Sequence, residues 1–512
     1  MMNPQNMEGK RPGNHDAPAP RCGMLFGRGS RLFLQSFRAW PLVLGLLLGG
    51  CAATGSGGPD ITDPAQPDAV VCADLADFPQ DLSVYAAELP GDGVLLSRTL
   101  QLREDRRFNS RFFAPWRVSR PSTTADQLFE AEKNLSPALG YGENLRPLDP
   151  VAWQELLDNA NRKAYRGRQG TAKPGITVKS AHLRRLPTHK PYFLHPRKAG
   201  EGFPFDYLQN STLWPGTPVS IIHTSRDGAW VYVETRLVAG WLPATDVAVP
   251  DKAFMEYWLA QPLAALLRDN VPLADTADLR DQVTGKPLPA VGYIGTVLPL
   301  LPGEGGASSS VLLFPARNEY GAALVKRARV PKDVAAAKPL PLTASVVAAV
   351  GNAMMGQPYG WGGLFENRDC SALLRDLFTP FGIWLPRNSQ EQGKTGEILD
   401  ARGLTPEEKE ALFAERGKPF FSLVRMPGHV GLYLGVYPLR GKDVPVMFHS
   451  LWGLRVVSDT KNDASGKPVS ERAVIGKAVV TSLRPGADHP RISSPASLLD
   501  RITGLAILPE TP

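Results

Sequence analysis

The chain has 512 residues, 43% of them apolar, with 49 glycines, 48 prolines and a formal net charge of +7. That length exceeds one hydrophobic core and predicts three or four domains at roughly 100–200 residues each, while so much glycine and proline predicts many turns joining small β-rich modules. The basic excess is scattered, without a long basic run, which argues against a nucleic-acid partner.

The N-terminus carries an address. Arg28, Arg31 and Arg38 precede an apolar run from Pro41 to Leu48, and Gly49, Gly50 and Cys51 follow. A basic start, a short apolar stretch and small residues at the cut predict a secretory signal over residues 1–50, with Met24 as an alternative start. The run is too short to span a bilayer, which takes about 20 residues. Leu48-Gly49-Gly50-Cys51 resembles a bacterial lipobox, which implies lipidation of Cys51 after cleavage; a plain signal with an incidental cysteine is the other reading. Ala52 in place of an aspartate implies, for lipoproteins of this type, the outer membrane, on the periplasmic side of the cell envelope. Residues 1–50 hold six basic side chains (Lys10, Arg11, Arg21, Arg28, Arg31, Arg38) and two acidic ones (Glu8, Asp16), so removing their +4 from +7 leaves +3. Residues 51–78, rich in Gly, Pro, Asp and Thr, read as a lipidated tether. Of the four cysteines, Cys22, Cys51, Cys72 and Cys370, only the last three fall in a mature chain. Cys72 and Cys370 can pair in an exported protein, but so few cysteines make no disulfide framework, and Cys72 reads as incidental.

Residues 79–172 read as a helical N-terminal clip, with helix-like spacing over Asp126–Lys133 and Val151–Arg166 and an Asp149-Pro150 stop before the second. Residues 173–252 switch to strands: Thr217–His223, a turn over Ser225–Gly228, Trp230–Thr235, and another strand at Gly240-Trp241, together a small barrel. The runs Phe205–Gln209, Gly216–Val219, Asp227–Trp230 and Gly240-Trp241 resemble bacterial SH3 domains. A helix-like stretch, Lys252–Arg268, leads into a second, more divergent SH3-like barrel over residues 253–335, with strands Ile294–Leu298, Val311–Phe314 and Ala322–Val325. Pro331–Leu342 reads as a linker, and residues 336–512 as the last domain.

The chemistry sits in that last domain. Thr343 is placed to cap a helix over Ser345–Met355, which the glycine-rich loop Gly356–Gly363 ends. Asp369-Cys370-Ser371 then begins a second helix, whose Leu373, Leu374, Leu377 and Phe378 mark one buried face. Cys370 thus falls in a first helical turn, where unpaired N–H groups and the positive dipole end favour a thiolate and an oxyanion. A thiolate nucleophile needs an imidazole beside it. His429 opens the alternating run Gly428–Gly435, and His449 ends a short strand, Val446–Ser450. Cys370, His429 and His449 can serve as nucleophile, base and orienter.

Tyr359–Gly363, Asp369–Ser371, Leu385–Gln392 and Gly428–Tyr433, in that order, resemble the NlpC-type peptidoglycan cysteine peptidases. The resemblance implies an α+β chain: a papain-like catalytic domain preceded by two small SH3-like β-barrels and the helical clip. It implies cleavage of the γ-D-glutamyl to diamino-acid bond in stem peptides with a free N-terminal L-Ala. On that reading Cys370 is the nucleophile, His429 the base and His449 the third polar residue. Tyr359 holds the cysteine or the oxyanion, or merely packs beside Pro358. Asp369 and Ser371 bind the substrate amine, and Asp369 also caps the helix. Trp361 and Arg387 shape the cleft. Asp206 and Tyr207 face the cleft or pack inside the barrel. The stretch Glu397–Lys418 is charged, helical and long for the family, a surface insertion or a cleft wall.

Peptidoglycan stem peptides, the membrane through Cys51 and no nucleic acid are the expected partners of a monomer. No cofactor is implied, and His182, His189, His195 and His223 show no metal spacing and read as surface residues. An amidase or acyltransferase of the same fold, a transpeptidase, and a non-catalytic wall-binding lipoprotein are the competing functions.

Overall fold

The computed structural model describes residues 72–508 apart from 91–92, 197, 199, 275–289, 463–465, 467, 488–491 and 493–496. The signal segment, Met24, Cys51 and the tether up to residue 71 lie outside the described residues. Among the described residues no helix is long and apolar enough to cross a membrane.

The N-terminal segment straps the modules together. Leu82 and Tyr85 enter the core of the last domain, Phe113 that of the second barrel and Phe129 that of the first. Its longest helix, Arg98–Phe112, carries no strong apolar stripe. The stretch expected as one helix over Asp126–Lys133 is two, Ala125–Leu128 and Glu130–Asn134. The break falls at Phe129, whose fully buried ring is inserted beside Trp241 and Trp230. Asp149 accepts from Val151 N–H and starts the next helix, Pro150–Asn159. That helix stops short of Arg166 at Asn161, which takes a left-handed conformation (φ 58°).

The first barrel is a seven-stranded sheet of Lys173–Thr177 (β1), Ala181–Arg184 (β2), Gln209–Leu213 (β3), Pro218–Thr224 (β4), Trp230–Glu234 (β5), Ala239–Pro243 (β6) and Val247–Ala248 (β7), in the order β3-β2-β6-β5-β4-β1-β7. The β4–β5 hairpin turns where expected, with Gly228 at φ 73°.

The second module uses Leu263–Leu266 (β8), Val271–Leu273 (β9), Ala290–Gly292 (β10), Val297–Leu301 (β11), Ser309–Arg317 (β12), Ala323–Pro331 (β13) and Ala335–Ala337 (β14). The helix expected over Lys252–Arg268 ends at Leu259; Pro262 then breaks it, and β8 follows. The expected linker contains β14, which pairs with β8. The strand expected at Ile294–Leu298 begins only at Val297, because Tyr293–Thr296 forms a hydrogen-bonded turn.

The last domain is a six-stranded antiparallel sheet of Glu397–Asp400 (β15), Ser422–Met426 (β16), His429–Leu439 (β17), Lys442–Asn462 (β18), Pro468–Ser482 (β19) and Gly504–Ile507 (β20), ordered β15-β20-β16-β17-β18-β19. The helices Ala344–Asn352 and Cys370–Phe378 cover one face, burying Leu373, Leu377 and Phe378 with Val430, Leu432 and Phe448. The charged stretch contributes β15 and the helix Pro406–Arg416, which Thr405 and Glu408 cap reciprocally. Buried Phe413 pins that helix to the sheet on the side away from the cleft. Cys72 also packs there, 1% exposed. Cys72 and Cys370 are both free and belong to different core clusters.

Candidate active site

Asp369 sits at the N-cap of the helix Cys370–Phe378, and its Oδ1 accepts from Ala372 N–H at 2.8 Å. Cys370 is therefore the first helical residue. It opens into a cleft of about 470 Å³, lined on one side by Tyr359, Trp361, Asp369, Ser371 and Arg387, on the other by Tyr207, Gln209 and Glu130. The first barrel forms the far wall because the glycine loop lets it dock closely. A Cβ on Gly363 (φ 86°) would sit 2.4 Å from Thr212 Oγ1, and one on Gly362 (φ 61°) 2.8 Å from the Gln209 carbonyl oxygen. Thr212 Oγ1 and Gln209 Nε2 instead donate to the carbonyls of Gly363 and Gly362, at 2.7 and 3.0 Å.

Burial, then the Asp369 carboxylate, pushes the Cys370 thiol up to about 12. The backbone N–H groups of Val430 and Ser371 act on the sulfur in the other direction without offsetting that. Burial, then the Arg501 guanidinium, pushes His429 down to about 4. The thiolate expected from the helix start is thus a neutral thiol at rest. No hydrogen bond joins Sγ to the His429 ring; the sulfur lies against the N–H of Val430, one residue further along β17. Such contacts are commonly long without substrate and tighten when it binds.

The ring of His429 is oriented from behind. Its Nε2 lies 2.8 Å from His449 Nδ1, and His449 Nε2 lies 3.1 Å from Thr481 Oγ1. Thr481 Oγ1 is also 2.7 Å from the Ser482 carbonyl oxygen, which can only accept, so the hydroxyl proton goes there. The hydroxyl oxygen must then accept from Nε2–H of His449. His449 is fully buried and held well below the usual imidazole range by burial and by His429, so it is neutral and its Nδ1 carries a lone pair. His429 consequently donates from Nε2 and keeps its lone pair on Nδ1. His449 lies in the middle of the long strand β18 rather than ending a short one. Gly431 leaves room for it: a Cβ there would sit 3.3 Å from that of His449.

At the barrel end Arg387 pairs with Asp369 (Nη2–Oδ2 2.7 Å) and donates from Nη1 to Ser371 Oγ and from Nε to Ser211 Oγ. Asp369 Oδ2 also accepts from Gly362 N–H, and Oδ1 accepts from Ser371 Oγ. Burial raises the Asp369 pKa, but the Arg387 charge and these donors leave it below the usual range. Burial holds the Tyr359 phenol well above 10, a neutral O–H. Trp361 packs edge-on against Phe205 and tilted against Tyr207, at ring-centroid distances of 5.2 and 6.2 Å.

Asp206 does not face the cleft. It is 2% exposed, paired with Arg184 (2.6 Å), and accepts from the N–H groups of Tyr192 and Leu208. Its neighbour Tyr207 does line the cleft, its hydroxyl donating to Glu201. His182 and His223 are half-buried rather than surface residues. His182 Nε2 meets Glu366 at 3.0 Å and His223 Nε2 meets the Ala160 carbonyl at 3.1 Å. No cluster of three potential metal ligands occurs among the described residues. Glu130, Arg185 and Thr481 escaped the sequence reading. Glu130 and Arg185 are polar residues on elements remote in sequence, and Thr481 lies on a strand whose polar alternation gives no separate signal.

Residues 40–165 match the NLPC_P60 stabilising domain, residues 191–243 an SH3 domain of the SH3b1 type, and residues 356–469 the NlpC/P60 family. An NlpC/P60 endopeptidase from Photobacterium damselae subsp. piscicida has a similar solved structure, with TM-score 0.73 and 26% identity over 85% of this chain and 98% of that one. The γ-D-glutamyl-L-lysine dipeptidyl-peptidase of Bacillus subtilis (strain 168) is 23% identical over 244 residues, 44% of this chain and 72% of that protein. Residues 356–469 thus form an NlpC/P60 domain behind a matched SH3 domain, and the chain shares the fold of an NlpC/P60 endopeptidase, which makes it an NlpC-type peptidoglycan peptidase.

Proposed function

We propose that the chain is a cysteine endopeptidase that hydrolyses the γ-D-glutamyl to diamino-acid bond of peptidoglycan stem peptides bearing a free N-terminal L-Ala. The observation that carries this reading is a thiol at a helix start, in a cleft, one residue along a strand from an imidazole whose tautomer is set by a buried relay. In the reaction the Cys370 sulfur attacks the γ-carbonyl carbon as His429 Nδ1 takes the thiol proton. The oxyanion forms near the first-turn N–H groups and the Tyr359 hydroxyl. The tetrahedral adduct collapses to a thioester, and the same proton leaves with the amine of the diamino acid. Water, deprotonated by His429, then hydrolyses the thioester and restores the thiol.

Selection for a free amine rests on the closed barrel end. Tyr207, Glu130 and Arg185 line that end of the cleft, and on this reading they block a muramyl group or a longer chain. Asp369 already accepts from Arg387, Ser371, Ala372 and Gly362, so an ammonium placed beside Asp369 and Ser371 shares that charge, and the wall does most of the discrimination. Purified protein should release L-Ala-D-Glu from L-Ala-γ-D-Glu-diaminopimelate, and N-acetylation or muramyl linkage of the alanine should lower kcat/KM by about 100-fold or more. Equal rates on free and muramyl-linked peptides would refute the free-terminus assignment.

The relay makes a second prediction. Thr481→Val removes the acceptor for His449 Nε2–H and leaves a buried donor unpaired, at a cost of about 1–3 kcal/mol. It also frees His449 to place its proton on Nδ1, the wrong tautomer for His429. The expected result is a fall in kcat of about tenfold with KM little changed, and recovery with Thr481→Ser. A loss confined to KM would contradict the relay.

The chain's anchoring at Cys51, and with it an outer-membrane location, belongs to the same reading and is supported by the lipobox resemblance alone. Globomycin-sensitive processing or palmitate labelling of the full chain, lost in Cys51→Ala, tests it.

A further inference from the structure

The basic side chains are scattered along the sequence but not over the folded surface. Residues 98–120 hold seven arginines against Glu104 and Asp105, and residues 162–173 hold five basic side chains and no acid. Each segment nets +5, so together they carry +10 in a chain whose total is +7, and all the rest amounts to −3. The fold lays the two segments side by side. Ala172 N–H donates to the Ser119 carbonyl (2.9 Å), and the Tyr165 hydroxyl donates to the Thr123 carbonyl (2.7 Å). A Cβ on Gly170 would lie 3.6 Å from that of Arg166 and 3.7 Å from Pro121 Cγ. Arg117 Nη1 reaches back to Ser110 Oγ (3.4 Å), in the last turn of the helix Arg98–Phe112 and next to Arg111.

Six arginines of these segments, Arg106, Arg111, Arg117, Arg120, Arg166 and Arg168, are exposed. Among the described residues, no carboxylate lies within 4.0 Å of any of the six guanidinium groups. Other arginines of the same segments are paired: Arg103 and Arg107 meet Glu104, and Arg162 meets Glu132. Like charges gathered without counter-charges repel one another and raise the potential above the surface. Neither packing nor capping asks for that arrangement. None of the six lines the Cys370 cleft, so the charge is not part of the reaction site.

The setting of these arginines points to one kind of anion. They stand on the helix Arg98–Phe112 and on or beside the turns Ala114–Arg117 and Gly167–Gln169, with Val118, 42% exposed, between Arg117 and Arg120. A surface for single-stranded nucleic acid combines basic residues with aromatic rings on which bases stack. The exposed aromatic rings among the described residues, Phe203, Tyr257, Tyr320 and Phe365, lie outside both segments. A layer of anionic phospholipid headgroups instead offers phosphates in a plane. Guanidinium groups bind phosphates bidentately, and an apolar side chain among them can enter the interface. An exported chain works beside such a layer. We infer that the face carrying Arg111, Arg117, Arg120, Arg166 and Arg168 docks on an anionic phospholipid membrane and holds the protein against it. Each basic side chain near the headgroups adds to the attraction, and salt screens it. The face acts whether or not Cys51 carries a lipid.

Residues 52–512 contain the whole described fold and lack both the signal segment and Cys51, so their binding to vesicles reads this face without an anchor. They should bind vesicles of phosphatidylcholine with about one-third phosphatidylglycerol about 100-fold more tightly than vesicles of phosphatidylcholine alone, and about 0.5 M salt should abolish the difference. Arg117→Gln/Arg166→Gln, one substitution in each segment, should weaken binding to the anionic vesicles about tenfold or more. Arg327→Gln/Arg329→Gln removes the same charge from exposed positions on β13 and should change binding by less than about twofold. If circular dichroism shows that Arg117→Gln/Arg166→Gln does not fold, Arg168→Gln alone, at an exposed position, should weaken binding about threefold. Equal binding to the two kinds of vesicle, or equal losses in the two double variants, overturns the inference. So does binding to isolated peptidoglycan in preference to the anionic vesicles, lost in Arg117→Gln/Arg166→Gln, which would give the face to the wall polymer.

Discussion

Cys370→Ala should lower kcat on L-Ala-γ-D-Glu-diaminopimelate by about 10⁴-fold or more, because no other group in the cleft can form the thioester. The fold should be retained: the replaced atom is one sulfur at a helix start, and Asp369 still caps that helix. Retention of more than about 1% of the wild-type rate would remove Cys370 from the chemistry. The protonation states add a pH signature. Burial and Asp369 push the thiol up to about 12, and burial and Arg501 push His429 down to about 4. A raised thiol pKa means that the thiolate is a minor species at neutral pH and that its fraction rises with pH. Alkylation of Cys370 by iodoacetamide should therefore climb about tenfold per pH unit between pH 6 and 9. A preformed thiolate–imidazolium pair would give a plateau across that range. The thiol gives up its proton to His429 during attack, so the relay through His449 and Thr481 matters: it keeps the accepting lone pair on Nδ1.

What was legible in the sequence was mostly local. Asp369 before an apolar-faced run announces a capped helix, and with it the place of Cys370. The β4–β5 hairpin is written in a Ser-Arg-Asp-Gly turn between alternating strands. His429 opens its strand because Gly428 (φ 77°) makes the turn ahead of it. Features set by distant partners were not legible. Leu263–Leu266 has helix-like composition, yet it is a strand because Val297–Pro299 and Ala335–Ala337 pair with it from either side. Asp206 looks like a cleft residue beside Tyr207 until Arg184 is placed against it. Cys72 seems incidental beside a tether, but it is buried in the same core cluster as Leu399, Phe413 and Tyr433. Thr481 acquires its role only when β19 is laid beside β18. Both barrels turn out to touch the last domain, the first through Gln209, Ser211 and Thr212, the second through Asp269 and Ile294.

That second contact predicts the largest stability effect. Arg368, two residues before Cys370 and 1% exposed, uses all five of its N–H donors. Nε donates to Asp376 (2.7 Å), Nη1 to Asp269 and Gln357 (2.7 Å each), and Nη2 to Asp269 (2.9 Å) and the Ile294 carbonyl (2.8 Å). Asp376 also accepts from Trp214 Nε1 in the first barrel and from Arg375. One guanidinium thus ties the two barrels to the loop that carries the active cysteine. Arg368→Met keeps the volume of the stem but strands Asp269, and leaves Asp376 with Arg375 as its one cationic partner. Removing one member of such a buried network costs about 3–5 kcal/mol. Arg368→Lys should recover only part of this, because an ammonium cannot reproduce a bidentate pair and three further donations. Gln357→Ala, which deletes one neutral acceptor, should cost about 1–2 kcal/mol. Urea denaturation followed by tryptophan fluorescence checks the series, since Trp214 stacks beside the network at 5.3 Å from the guanidinium carbon. If Arg368→Met unfolds within about 0.5 kcal/mol of the parent chain, the barrels are held to the last domain by their apolar contacts and the network is dispensable. If the order of cost is methionine, lysine, then the glutamine variant, the ionic network is what fixes the cleft walls against Cys370.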